Sequence, residues 1–585
     1  MASGADIKGV LSLLQNRIAS ESSGLNNPRQ SICNTNNMST VSPEQDAEKI
    51  PTSTPVATLA AEANRATKTE HKMGLWQGIR TYPHAVGWSI LFSSALIMEG
   101  YDNALIASLF AYGPFQKTFG DKLANGTYQI TAAWQSGLTN GALVGELIGL
   151  LINGIIAERF GYKKSIIGSL IACVAFVFII FFAKTLTVLL IGEILIGIPW
   201  GLFQTITTTY ASEVCPVVLR PYLTTYVNLC WVIGQIIASG VLKAMTSRTD
   251  DLGYKIPFAL QWMWPVPIMI GVAFAPESPW WLVRKGRINE ARHALERLTV
   301  QGQDPDFNVD ETIAMIRSTN ELEKEISAGT SYLDCFTGVD LRRTETVCLT
   351  WMAQQVSGSA FMGYSTYFYE QAGLATSNAF TLSMVQYIIG AIGTLLSWVL
   401  MGKFGRRTLY AYGLGAQMTV CFIIGCLGII HRGNVAAQWA IGSLLLVYTF
   451  CYDASVGPVC YSLVSELSST RLRAKSIVLA RISYNVSGVV VNIITPRMLN
   501  PSAWDWGAKS GFFWAGTSLL CLVWVFFRLP EPKGRTYAEL DLLFERGVSA
   551  RKFSSAFVDP FSVHEKDHGE EEKVVQPSVE IMEHI

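Results

Sequence analysis

Six ionisable residues sit inside stretches of sequence that are otherwise apolar: Glu99, Asp102, Glu146, Glu193 and Asp453 are acids, and Arg481 is a base. A charge near the middle of a bilayer costs at least ~2.5–3.5 kcal/mol even on a lenient insertion scale. Five acids against one base leave four carboxylates without an evident counter-charge in these stretches. They must be hydrated in a cavity or carry a proton for part of a cycle. A carboxyl that is protonated in one state and ionised in another can couple a proton to the movement of something else. These six are therefore the candidate proton-coupling residues. Glu99 and Asp102 are three positions apart and share a helical face. Arg481 carries the most weight, because a lone guanidinium within a span has to find a partner.

Four of the acids also have another reading. Asp102 pairs permanently with Arg481 at a helix interface in one; Glu99 is a solvated residue at the entrance in another. Glu146, between Gly145 and Gly149, would bridge helices through hydrogen bonds, and Asp453, close to Gly457-Pro458, would satisfy donors at a broken helix.

The elements that hold these groups follow from composition. The chain has 585 residues, of which 50% are hydrophobic and 15% charged. Soluble proteins usually carry about 25% charged residues. The mean hydropathy is +0.29. Spans need ~20 mainly apolar residues, and the sequence predicts twelve, from 84–110 to 510–529, with the seventh at 345–369. The expected fold is an all-α membrane protein: twelve transmembrane helices in two six-helix bundles with a cytosolic helical linker region. Its parts are a disordered cytosolic tail (1–83), a first bundle (84–275), a linker with short helices (276–343), a second bundle (344–530) and a cytosolic tail (531–585). Positive charges in alternate loops put both termini in the cytosol, and Asn125-Gly126-Thr127 then reads as an external glycosylation sequon.

Zero net charge gives no reason to expect a nucleic-acid partner. The cysteines, Cys173, Cys230, Cys421 and Cys521 among them, read as buried thiols, and no Cys/His cluster suggests a metal. No G-x-x-x-x-G-K-[ST] loop is present for ATP, and no nucleophile–base motif stands out, so an enzyme and a cofactor are not expected.

The same grammar recurs in both halves. Glu158-Arg159-Phe160-Gly161-Tyr162-Lys163-Lys164 is followed by Glu213 and Arg220, and Gly402-Lys403-Phe404-Gly405-Arg406-Arg407 by Glu466 and Arg473. A third pair is Pro276-Glu277 and Pro530-Glu531. Parallel repeats suit a carrier whose central site opens to each side in turn. Glycine permits the tight turn, and the cations cap helix ends and meet the acids. Glu158, Arg159, Lys163, Glu213, Arg220, Lys403, Arg406, Arg407, Glu466 and Arg473 are thus the candidate gating residues. They would form a latch that closes when the cytosolic helix ends approach, and so favour the outward-open state. The plainer reading is that they only set topology.

Together with Gly100-Tyr101-Asp102, Pro276-Glu277-Ser278-Pro279-Trp280-Trp281-Leu282, Gln354-Gln355-x-Ser357-Gly358 and Pro530-Glu531-Pro532-Lys533-Gly534-Arg535-Thr536, the pattern resembles the sugar-porter branch of the major facilitator superfamily over about residues 84–541. Met98-Glu99-Gly100-Tyr101-Asp102, Ile198-Pro199-Trp200-Gly201 and Gly363-Tyr364-Ser365-Thr366-Tyr367-Phe368-Tyr369-Glu370 resemble fungal α-glucoside (maltose-type) permeases more narrowly. The resemblance implies proton-coupled uptake of an α-glucoside across the plasma membrane, by a monomer embedded in the lipid bilayer. It also implies that Gln354 and Gln355 bind sugar, with Asn228, Gln235, Tyr364 and Tyr461 around them. Sugar recognition needs amides for hydroxyls and aromatic faces for C–H surfaces. Ala360 and Tyr461 stand where relatives often carry Asn and Trp, consistent with a pocket widened for a disaccharide.

One departure matters. Many proton-coupled sugar porters open the fourth span with Gly-Arg-x-Leu-x-Gly, whose Arg pairs with the first-span Asp. Here the motif is Gly192-Glu193-Ile194-Leu195-Ile196-Gly197. The expectation is that Arg481 supplies the missing charge to Asp102 from the other half. A passive facilitator, a porter for another glycoside, and a sensor of the same fold stay open as alternatives.

Overall fold

The computed structural model describes residues 62–556 apart from short internal stretches; the sequon residue Asn125 and most of both tails lie outside the described residues. The described chain is helical, with one two-stranded hairpin pairing Asp121–Lys122 with Tyr128–Gln129. The first half contains α1 (Leu75–Thr81), α2 (Pro83–Ser93), α3 (Ala95–Leu109), α4 (Gly113–Phe119), α5 (Ala132–Phe160), α6 (Tyr162–Phe181), α7 (Leu186–Val214), α8 (Arg220–Met245), α9 (Leu252–Leu260) and α10 (Pro265–Phe274). Three short helices follow: α11 (Pro279–Arg284), α12 (Ile288–Leu298) and α13 (Val309–Ser327). The second half contains α14 (Gly338–Gln354), α15 (Ala360–Gly363), α16 (Ser365–Gln371), α17 (Thr376–Lys403), α18 (Arg406–Leu427), α19 (Val435–Cys451), α20 (Gly457–Leu467), α21 (Arg473–Leu499), α22 (Gly511–Arg528) and α23 (Tyr537–Glu545).

Ten helical stretches among the described residues are long and apolar enough to cross a membrane. The predicted first and seventh spans are helical but broken, which corrects the expectation of continuous helices there. The first breaks at Ser94, whose hydroxyl donates to the Leu91 carbonyl (2.6 Å) and competes with the helical ladder. The seventh breaks at a π turn, Gln355–Ser359, in which Gly358 adopts φ +103°. A side chain is disfavoured there both by that dihedral and by Trp514, whose Cβ would lie 3.1 Å from an added Cβ.

Close helix crossings hold the first half together. A Cβ at Gly145 of α5 would lie 2.1 Å from the Ile194 carbonyl of α7, and one at Gly197 would lie 2.2 Å from the Ala142 carbonyl. The same relation joins α3 to α8 through Gly100 and Gly234. Within lipid, helices gain little from hiding apolar surface, so packing at this distance is a main source of association. Their outer faces are apolar and open: Leu151 is 65% exposed, Ile155 71% and Leu520 71%, as a bilayer-covered surface requires. The halves meet along α5 against α21 and α8 against α17.

Two stretches assigned to the tails are structured, the first of which was expected to be disordered. Leu75–Thr81 is helical, Met73 is buried, and Arg65 pairs with Glu311 of α13 at 2.7 Å. Past the last span, α23 buries Leu540, Leu543 and Phe544 against the second half, and its Asp541 pairs with buried Arg343. Cys173, Cys230 and Cys421 are buried free thiols as expected, whereas Cys521 is only half-buried.

Candidate functional site

The six charged positions do not form one cluster. Glu99 of α3, Glu146 of α5 and Arg481 of α21 meet around an uncharged residue, Gln204 of α7. The Gln204 amide nitrogen donates to Glu99 Oε1 (2.6 Å) and Glu146 Oε2 (3.2 Å). Its amide oxygen accepts from Arg481 Nε (3.0 Å) and Nη2. Trp231 Nε1 of α8 adds a second donor to Glu99 Oε1 (3.1 Å). One carboxamide therefore turns its donor side to two acids of the first half and its acceptor side to the base of the second half. Arg481 sits in the corner of two aromatic rings, 4.8 Å from the centroid of Trp351 and 4.6 Å from that of Tyr484.

Asp102 lies apart from this group. It takes a hydrogen bond from Gln261, which follows α9, and faces the carboxyl of Glu193. No amide, hydroxyl or cation donates to Glu193 among the described residues. The expected Arg481–Asp102 pairing is thus corrected: the guanidinium reaches the first half, but at Gln204. Asp102 is instead held within its own half by the Gln261 amide, and buried Glu193 stands near it in place of the usual fourth-span Arg. Asp453 joins neither group; it sits on the π turn Tyr452–Val456, packed on Gly390 and Gly393 of α17.

Of the expected sugar-binding residues, Asn228 is half-buried and Gln235 buried, both on α8, and neither makes a side-chain hydrogen bond among the described residues. They are amides with spare capacity. Tyr461 lies edge to face on Trp351 (4.8 Å), the ring over which the Arg481 guanidinium sits. Gln354 spends its amide nitrogen on the Val456 and Gly457 carbonyls (3.2 and 2.7 Å), which the π turn before α20 leaves free. Gln355 accepts from Ser359 (3.3 Å) and faces α21 near Gly488. Tyr364 bonds Thr139 of the first half at 2.8 Å.

That last contact belongs to a seam between the halves, at the end away from α11–α13. Gln129 donates to Tyr367 (2.6 Å), Asn500 to the Ile130 carbonyl (3.0 Å), and Ser108 shares a hydrogen bond with Thr366 (3.1 Å). Sequence reasoning missed Ser108, Gln129, Thr139 and Asn500 of this seam, and also Gln204, Trp231, Gln261, Trp351 and Tyr484. For Gln204 a signal existed: it follows Glu193 by three helical turns inside a predicted span.

At the opposite end stand the repeated loops, which turn differently: Gly161 adopts φ +86° and Gly405 φ −68°. Glu213 accepts from Tyr162 (2.9 Å), Arg284 (2.7 Å) and Ser278. Glu466 pairs with Arg406 (3.3 Å) and accepts from Ser462 (2.8 Å). All these partners lie in the acid's own half or in α11 and the loop before it, so neither acid's partners here bridge the two halves. Arg220 donates to the Cys215 carbonyl (3.2 Å) and lies 3.9 Å from Glu70. Glu158 lies 3.7 Å from Lys285, and Arg159 lies over Phe160. The Lys403 carbonyl accepts from Lys533, Arg407 donates to the Phe526 carbonyl, and Arg473 opens α21.

The third repeated pair acquires a role here. Glu277 accepts the backbone N–H groups of Tyr162 (3.1 Å) and Lys163 (3.2 Å) at the start of α6, and Glu531 accepts that of Arg406 (2.8 Å) at the start of α18. Each acid neutralises orphan donors at a helix N-terminus just after the glycine turn. Gly161, at φ +86°, admits Glu277 because an added Cβ would lie 2.5 Å from the carboxylate. Burial pushes the Glu277 carboxyl above its ordinary range, while the N–H groups of Ser278, Lys163 and Tyr162 pull it back. Glu277→Ala should cost about 1–3 kcal/mol, read as a fall of about 2–6 °C in the melting temperature of detergent-solubilised protein. Glu277→Gln, which still offers an oxygen, should lose less; equal melting of all three proteins would refute the capping role.

A helical chain with an apolar exterior, internal charges and two similar halves is a multi-pass membrane transporter. The chain belongs to the family described as "Sugar (and other) transporter", whose model matches residues 88–544, so it is a carrier and not an enzyme. Among its relatives are the general alpha-glucoside permease of Saccharomyces cerevisiae strain S288c, 49% identical over 511 residues (87% of this chain, 83% of the relative), and the maltose permease MAL31 of the same strain, 46% identical over 506 residues (86% and 82%). Among solved structures, the partially occluded inward open conformation of the xylose transporter XylE from E. coli matches with TM-score 0.64 at 19% identity, covering 78% of this chain and 100% of that one. This last likeness speaks for the fold.

Proposed function

We propose that the protein is a proton-coupled symporter that imports α-glucosides such as maltose by alternating access. In this reading the two broken helical stretches complete twelve spans, six in residues 84–275 and six in 344–530. The linker 276–343 and both termini face the cytosol of a plasma-membrane protein. The observation that carries the reading is the Glu99–Gln204–Glu146 group, which meets Arg481 across the contact between halves. With Arg481 in place, its field favours ionised acids. When the halves part, the guanidinium leaves and the buried acids favour taking a proton. Proton binding and release thereby follow the movement of the halves. The named activities of the yeast relatives support the sugar class, as do the two unpaired amides of α8, Asn228 and Gln235.

The seam at the end away from the linker supports an inward-facing state, in which the repeated cytosolic loops stand apart. The gating residues would then meet across the halves only in the outward-facing state. Import of a neutral sugar with a proton gains ~2.3 kcal/mol per 100 mV of membrane potential.

The test is maltose uptake in cells that lack other permeases, with external pH recorded. Maltose should enter and the medium should turn alkaline as protons follow. Uptake without alkalinisation would make the protein a facilitator. No uptake by protein present at the surface would leave a different sugar or a sensor.

A further inference from the structure

Arg481 is held less by its acceptor than by its aromatic surroundings. The Trp351 and Tyr484 rings meet at 79° with centroids 5.2 Å apart, and the guanidinium occupies the corner between them. Trp351 comes from α14, so two helices of the second half fix one cation of the site. The indole is 5% exposed, yet its Nε1 finds no hydrogen-bond acceptor among the described residues. A tryptophan buried with an idle donor is there for the faces and edges of its ring. Those surfaces have three uses: one meets Tyr484, one lies on Arg481, and another on Tyr461 at 4.8 Å and 70°. Tyr461, in turn, lies near enough to Arg481 to feel its charge. Three rings and a guanidinium therefore behave as one packed unit.

We propose that Trp351 is a positioning residue that transmits sugar occupancy to the proton site. Tyr461 presents the aromatic surface for a sugar ring. Pressure of a bound sugar on Tyr461 passes through the indole to the guanidinium and sets whether its Nε and Nη2 atoms stay on Gln204. Trp351 touches neither sugar nor proton. It makes the two ligands obligatory partners rather than independent passengers. The inference rests on the reading of Arg481 as the movable counter-charge of Glu99 and Glu146.

The test reads a ratio, protons taken up per maltose molecule, in cells carrying the full-length protein. A ratio does not move when fewer molecules fold. Trp351→Leu and Tyr484→Leu remove one aromatic wall each; either should lower the ratio at least about fivefold, the order expected from losing a desolvated cation–π contact. Trp351→Phe keeps a face and, since Nε1 is idle, should retain most of the ratio. An unchanged ratio in Trp351→Leu or Tyr484→Leu would overturn the proposal, as would a Phe variant as poor as the Leu variant. Loss of all sugar flux by Trp351→Leu at normal surface abundance would place Trp351 in the sugar site instead, and absence of both Leu variants from the membrane would assign the stack to folding; both outcomes also count against it. Arg481→Ala separates the two levels. If it leaves the ratio intact, the reading of the proton site fails. If it lowers the ratio while Trp351→Leu does not, only this inference fails.

Discussion

Membrane vesicles carrying Arg481→Ala are expected to lose concentrative maltose uptake, with accumulation driven by an imposed proton gradient falling by at least on the order of 10²-fold. The estimate comes from the ~3–5 kcal/mol lost when one partner of a buried charge arrangement is removed. The reasoning is local. Arg481 delivers two donors to the Gln204 oxygen, and the opposite edge of the same amide holds Glu99 and Glu146. Without the guanidinium, nothing positive in that group favours ionised acids, so they keep their protons throughout the cycle and release none inside. Arg481→Lys should recover only part of the loss. An ammonium is a point charge that lacks the planar fork and packs differently between rings. Undiminished accumulation by Arg481→Ala would sink the coupling model.

The second large effect concerns assembly. Gly145→Ala should remove most of the protein from the membrane, because its new methyl would lie 2.1 Å from the Ile194 backbone oxygen and force α5 and α7 apart. Neither helix backbone can rotate away as a side chain would. Gly154→Ala, on the same helix α5, meets nothing within 4 Å and provides the control. We expect surface abundance of the first variant to fall at least about tenfold, in line with a cost above ~1.4 kcal/mol, and that of the second to stay near wild type. Equal abundance of the two would show that the crossing tolerates separation.

Much of this architecture was legible in the sequence because a bilayer leaves few choices: apolar length sets the spans, and repeated glycine turns with flanking charges mark the halves. The breaks in the first and seventh spans were not legible. A single serine hydroxyl redirects a carbonyl at Ser94, and Gly358 reads as an ordinary small residue until Trp514 is known to lie above it. The site was half legible. Counting charges found Glu99, Glu146 and Arg481, yet it paired Arg481 with Asp102. Charge counting overlooks neutral groups, and here the connector is an amide. Likewise the pair Glu277 and Glu531 was visible as a repeat, but its purpose depends on which backbone N–H groups a glycine turn exposes.

The neutrality of Gln204 bears on speed. In the proposed cycle the halves part and rejoin at each turnover, and every contact between them adds to the barrier. A carboxylate bonded directly to Arg481 would have to be pulled from its cation inside a poorly polarisable interior, at ~3–5 kcal/mol. Hydrogen bonds from a charged group to a neutral amide are worth ~1.5–3 kcal/mol. Spacing the acids from the base by one carboxamide keeps their electrostatic conversation while letting the partners disengage readily. On the proposed cycle, Gln204 would ease the parting of the halves, as a clutch plate does between two shafts.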